Sequence, residues 1–132
     1  MSLKYLGDKN ILLAEDDAFN AQLVRSLLKK ISDFNVTMAH DGKHTLDILE
    51  SEQKVDMLLL DIRMPIVTGM DVLKKVRSNK AFDNMPIIII SVDNNEYELK
   101  ALGANEFVNK PFNIDDLSSK ISFCFEHTNS NI

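Results

Sequence analysis

At 132 residues with a net charge of −5, the chain is sized for one domain with a buried core. The acidic balance disfavours direct contact with nucleic acid or anionic membrane surfaces, and apolar runs such as Ile87 to Ile90 are far too short to insert in a bilayer. Cys124, the single cysteine, excludes an internal disulfide and agrees with a reducing cytoplasm, the expected location, and Met1-Ser2-Leu3-Lys4-Tyr5 lacks the apolar stretch of a secretory leader.

The first predicted strand is Ile11-Leu12-Leu13-Ala14, an apolar run that ends in Glu15-Asp16-Asp17. Asp17 is placed to cap the helix that follows, whose apolar positions Leu23, Val24, Leu27, Leu28 and Ile31 repeat at helical spacing. Phe34 to Ala39 alternates like a strand, and Asp41-Gly42 turns into a helix that buries Leu46, Leu49 and Ile48. Met57 to Leu60 is an unbroken apolar run into Asp61, the pattern of a parallel strand covered on both faces. Pro65 ends that segment, Gly69 lets the turn close, and Met70, Val72, Leu73 and Val76 predict the next helix. Pro86 opens a strand of four isoleucines, Ile87 to Ile90, with Ser91 as the first polar side chain beyond it. A helix through Tyr97, Leu99 and Leu102, capped by Asp93 or Asn94, closes at Gly103 in the left-handed position. Asn105 to Val108 forms the last strand and delivers Lys110-Pro111-Phe112. The final helix carries Leu117, Ile121, Cys124 and Phe125 on one face, while Phe123 falls off that face and either wraps inward or marks a contact surface. Glu126 to Ile132 is expected to fray, leaving one domain with its core over about 9–126.

Five strands alternating with five helices predict a doubly wound α/β fold with helices on both faces of a parallel sheet. In the flavodoxin-like order 2-1-3-4-5, the switch point lies between the first and third strands, the two that end in Glu15-Asp16 and in Asp61. Three carboxylates at one sheet edge repel one another, by about 4 kcal/mol per pair at about 4 Å, so a positive charge is required there. A hard cation such as Mg²⁺ suits the oxygen donors: Asp16 and Asp61 directly, a backbone carbonyl as third ligand, and Glu15 through water. Lys110 leaves the fifth strand at the same edge with a second positive charge, and Ser91 leaves the fourth with a hydroxyl. Such a setting neutralises a phosphoryl group, with Asp61 as the nucleophile and an acyl phosphate as product.

The pieces Glu15-Asp16-Asp17, Asp61-Ile62-Arg63-Met64-Pro65 with Gly69, Ser91 and Lys110-Pro111-Phe112 together resemble the receiver domain of response regulators in two-component phosphorelay signalling, over nearly the whole chain. The resemblance implies that Asp61 accepts the phosphoryl group, Glu15 and Asp16 form the acidic pair, and Arg63 lends its backbone carbonyl to Mg²⁺. It further implies that Lys110 contacts the phosphoryl group and that Ser91 and Phe107 are switch positions. The donor implied is a histidine kinase or histidine phosphotransfer protein, and the run Glu15 to Asn20 is also similar to receivers fused to hybrid histidine kinases. The implied output surface, for a downstream protein or a homodimer, is the face of the fourth helix, fifth strand and fifth helix. Two positions depart from the family pattern: Val92 stands where a small residue is usual, and Phe107 lacks a phenolic hydroxyl.

Each of these residues has a plainer reading taken singly. Asp61 reads as a turn residue, Glu15-Asp16-Asp17 as an acidic helix start, Lys110 as a surface lysine and Phe107 as a core aromatic. Convergence on one edge favours the phosphoryl-accepting switch. A Mg²⁺-dependent aspartyl phosphohydrolase is disfavoured because Arg63 stands where the second acid of such an enzyme belongs. A flavin or nucleotide module is disfavoured by four glycines and no Gly-rich phosphate loop. A degenerate receiver that only docks other proteins is the remaining alternative.

Overall fold

The structure is a computed structural model that describes residues 3–93 and 95–128. Its strands are β1 (Asn10–Ala14), β2 (Asn35–Ala39), β3 (Met57–Asp61), β4 (Ile87–Ser91) and β5 (Glu106–Asn109). They alternate with helices α1 (Ala18–Ile31), α2 (Gly42–Glu50), α3 (Gly69–Arg77), α4 (Glu96–Ala101) and α5 (Ile114–Thr128). All pairings are parallel and the order is β2-β1-β3-β4-β5, as the sequence predicts.

The apolar runs of β1, β3 and β4 are buried on both sides because successive side chains point to opposite faces. Ile11, Leu13, Met57, Leu59, Ile88 and Ile90 pack with Val24, Leu28 and Ile31 of α1 and with Leu117, Ile121, Cys124 and Phe125 of α5. Leu12, Leu58, Leu60, Ile87 and Ile89 pack on the other face with Leu49 of α2, Val72, Leu73 and Val76 of α3, and Leu99 of α4. Burial pushes the Cys124 thiol up to about 12, so it stays protonated inside the first of these layers.

Several helix boundaries follow from local chemistry. The Asp17 carboxylate accepts from the Phe19 and Asn20 amides and starts α1, and the Asp41 carboxylate accepts from the His44 amide and starts α2. Thr68 and Asp71 form a reciprocal capping box at α3. Gly103 takes φ +114 beyond α4, the left-handed conformation expected there.

Other expectations are corrected. Leu23 and Tyr97 fall at helical spacing but are exposed, because α1 and α4 each bury a narrower stripe than the periodicity suggests. Asp93 does not cap α4: the N-cap is Asn95, without a side-chain cap bond, and Asp93 is engaged by Arg63 instead. Asn94 lies outside the described residues. The helix α5 runs past Glu126 to Thr128; within it the Phe123 and His127 rings stack at 3.8 Å and Tyr5 donates to Glu126, while 129–132 lie outside the described residues. Phe123 stays exposed rather than wrapping inward.

Gly69 closes the turn without a positive φ. Its requirement is closeness: a Cβ there would lie 2.3 Å from the Asp61 carbonyl oxygen. The left-handed residue of the β3–α3 loop is Ile66, with φ +66 and a side chain 97% exposed. A β-branched residue pays for this conformation with about 1–2 kcal/mol of steric strain, and its side chain recovers nothing by burial. Ile66→Asn is therefore expected to raise stability by about 1 kcal/mol, read as a higher urea midpoint with an unchanged slope.

Candidate functional site

The sheet register assembles the site. Ala14 pairs with Leu60, so Glu15 and Asp61 leave neighbouring strands side by side, and Asp61 in turn pairs with Ile90, one residue before Ser91. Ser91 pairs with Asn109, which brings Lys110 to the same edge. Carboxylate oxygens of Glu15, Asp16 and Asp61 all lie within 4.8 Å of one another. Glu15 and Asp61 are buried, at 4% and 7% exposure, whereas Asp16 is open to solvent.

Lys110 enters this cluster rather than turning away. Its Nζ donates to Glu15 Oε1 at 2.8 Å and stands 3.6 Å from Asp61 Oδ2. The peptide bond from Lys110 to Pro111 is cis. The other Asp61 oxygen, Oδ1, accepts from the Arg63 amide at 3.0 Å, and Glu15 Oε2 accepts from the Asp17 amide at 3.3 Å. Each buried carboxylate is thus fixed by one backbone donor and by the shared ammonium.

Burial, and then the neighbouring Asp61, hold the Glu15 carboxyl above its usual range, although Lys110 pulls the other way. Asp16 is likewise raised, first by desolvation and then by Glu15. For Lys110, burial alone would lower the ammonium, but the hydrogen bond to Glu15 and the charges of Asp61 and Glu15 outweigh it and leave it raised. One ammonium does not neutralise three carboxylates. The all-oxygen donor set, partly open through Asp16, fits a hard divalent cation that keeps some of its waters.

Ser91 Oγ is buried and accepts from the Asp93 amide at 3.1 Å. Phe107 is buried in the layer shared with α3 and α4, beneath the rim rather than in it. Val92 is more than half exposed. Sequence reasoning missed the side-chain pairing of Arg63 with Asp93. The signal was present, because each lies two residues past the end of one of two adjacent parallel strands and the charges are opposite.

Comparison with known proteins agrees with this geometry. The family model described as the response regulator receiver domain matches residues 11–122. The transcriptional regulatory protein CpxR of Escherichia coli (strain K12) is 37% identical over 114 residues, covering 84% of this chain and 47% of that protein. The chain therefore spans about half the length of that relative. The Francisella response regulator 1452 receiver domain superposes with a TM-score of 0.81 at 30% identity, over 92% of this chain and 99% of that one. The receiver domain of sensor histidine kinase PA1611 from Pseudomonas aeruginosa PAO1, solved with magnesium coordinated in its active site cleft, shares the fold with a TM-score of 0.79 at 24% identity. It covers 94% of this chain and 100% of its own. The chain belongs to the response regulator receiver domain family.

Proposed function

We propose that Asp61 accepts a phosphoryl group from a phosphohistidine donor, a histidine kinase or histidine phosphotransfer protein, and that the chain acts as a two-component signalling switch. The observation that carries this reading is the placement of Lys110 between Glu15 and Asp61 within a three-carboxylate cluster. A carboxylate oxygen of Asp61 attacks phosphorus, the P–N bond to the donor imidazole breaks with its electron pair going to nitrogen, and an acyl phosphate results. The Arg63 amide fixes the carboxylate plane during approach, and the Lys110 ammonium faces the charge that gathers on the phosphoryl oxygens. Asp16, Asp61 and the Arg63 carbonyl, with Glu15 through water, would hold Mg²⁺, which would supply the charge neutralisation that lets two anions meet. No separate substrate is turned over.

An apolar cleft of about 260 Å³, lined by Leu23, Leu27, Pro111 and Phe112 beside Lys110, supports docking of the donor next to the acids. The proposed output surface is the α4–β5–α5 face, where Tyr97 is 90% exposed. There the Ser91 hydroxyl and Phe107 would respond to phosphorylation, biasing a two-state element by charge. The acidic net charge argues against direct nucleic-acid binding. Among the described residues no helix is long and apolar enough to cross a membrane, in keeping with a cytoplasmic setting.

The test is incubation with Mg²⁺ and a small phosphoramidate, followed by intact mass. A gain of one phosphoryl group, absent in Asp61→Asn, is the expected result; no gain in the unsubstituted chain overturns the proposal in favour of a docking-only receiver.

The raised carboxyls set a pH dependence. Because Glu15 and Asp16 bind protons more readily folded than unfolded, the metal-free chain loses stability as pH rises from the ordinary carboxylate range through their raised values. Mg²⁺ at about a hundred times its dissociation constant is expected to add roughly 2.7 kcal/mol near neutral pH. That gain shrinks as pH falls through the same window, where protons compete for the ligands. Melting temperatures with Mg²⁺ and with chelator, measured from pH 4 upward, check both slopes.

A further inference from the structure

A second polar assembly at this edge joins the loop after β3 to the loop after β4. The Arg63 guanidinium grips the Asp93 carboxylate with two branches, Nε donating to Oδ2 at 3.1 Å and Nη2 donating to Oδ1. Asp93 has another attachment, since its backbone N–H donates to Ser91 Oγ. Arg63 is itself tied to the acceptor, its backbone N–H donating to Asp61 Oδ1. A continuous path of bonds therefore runs from Asp61 through Arg63 and Asp93 to the buried hydroxyl.

The middle of that path is displaceable. The Arg63 side chain is 65% exposed and that of Asp93 is 33% exposed, so water screens the pair and a stronger anion can take the guanidinium. A phosphoryl group on Asp61 is such an anion, with about −1.5 to −2 charge and three acceptor oxygens that match the guanidinium fork as well as a carboxylate does. Asp93 dominates the field that keeps Arg63 charged, through its hydrogen bond and then its charge, and Asp61 already adds to it.

We propose that Arg63 and Asp93 form a latch with two positions. Paired, they hold the Asp93 amide on a lone pair of Ser91 Oγ and so fix that side chain's rotamer; when Asp61 carries a phosphoryl group, Arg63 turns to it, Asp93 is released, and Ser91 can swing its O–H, which the amide does not engage, toward a phosphoryl oxygen. Asp93 is on this account a positioning residue that acts through Ser91, and Arg63 is the sensor of charge on Asp61. The proposal rests on the phosphoryl-accepting reading above.

Titration with beryllium fluoride in Mg²⁺, a tetrahedral phosphoryl mimic, separates a latch from a simple clasp. Loss of a clasp shifts affinity the same way whichever partner is removed. A latch splits them: Asp93→Asn releases the guanidinium for the mimic and tightens binding roughly three-fold, while Arg63→Gln removes a ligand and weakens it roughly ten-fold. The double variant matches Arg63→Gln, because freeing an absent guanidinium does nothing. Amide spectra of the same samples confirm that each variant is folded, and the Ser91 and Asp93 amides should move in free Asp93→Asn toward their positions in the mimic-bound unsubstituted chain. Equal directions for the two single variants, or no tightening in Asp93→Asn, overturn the latch alone. No binding to the unsubstituted chain removes the phosphoryl reading and the latch with it.

Discussion

Asp61→Asn is expected to abolish phosphoryl uptake and, in metal-free buffer, to make the chain more stable. In the resting site the Asp61 carboxylate has Lys110 at 3.6 Å and the weaker field of the Arg63 guanidinium on one side of the balance, and two like charges, Glu15 and Asp16, within 4.8 Å on the other. At the effective dielectric of such sites each of the close interactions is about 4 kcal/mol before solvent discounts it, so the two repulsions outweigh the attraction of Lys110 together with the weaker, solvent-screened one of Arg63. Asparagine keeps an oxygen for the Arg63 amide and leaves the 2.8 Å bond between Lys110 and Glu15 in place. A net gain of roughly 1–2 kcal/mol follows, a rise of about 5 °C in melting temperature for a chain of this size. Saturating Mg²⁺ reverses the ranking, because the cation gains more from three carboxylates than from two. Calorimetry with and without Mg²⁺ reads the crossing; a destabilised Asp61→Asn in chelator would show that Lys110, not repulsion, dominates the resting site.

Gly69→Ala is expected to cost about 3 kcal/mol and to slow phosphoryl uptake by one to two orders of magnitude. The added methyl would meet the Asp61 carbonyl oxygen at 2.3 Å and Ile62 Cα at 2.5 Å. Both are backbone atoms that no rotamer change can clear. Gly69 N–H also donates to the Ile62 carbonyl at 3.0 Å, so the start of α3 and the exit of β3 must separate together, displacing Asp61 from Lys110. Urea unfolding gives the stability loss, and single-turnover labelling with the phosphoramidate gives the rate. A stability within 1 kcal/mol of the unsubstituted chain would show that the loop yields more easily than its contacts imply.

What was legible in the sequence was whatever burial on both faces dictates. Met57 to Leu60 and Ile87 to Ile90 read as covered parallel strands, and from them the switch point and the meeting of Glu15, Asp16, Asp61 and Lys110 follow by topology. Periodicity was a poorer guide to how wide a helix's buried stripe is, which is why Leu23 and Tyr97 were expected inside and lie outside. Cap residues compete with other partners: Asp93 had the right chemistry for α4 but pairs with Arg63 across the edge. The left-handed Ile66 carries no signal at all, since nothing in an isoleucine announces a positive φ.

At the far end of the sheet, Arg77 donates to the carbonyls of Gly103, Phe82 and Met85 and to Asn105 Oδ1, binding the last turn of α3 to the entrances of β4 and β5. In a chain with one cysteine, this side chain takes the part a covalent crosslink plays elsewhere. Burial lowers its affinity for a proton somewhat, yet a guanidinium still never titrates in the physiological range. The two poles of the molecule therefore answer acidification differently: the carboxylate rim changes its charge while the opposite corner stays riveted.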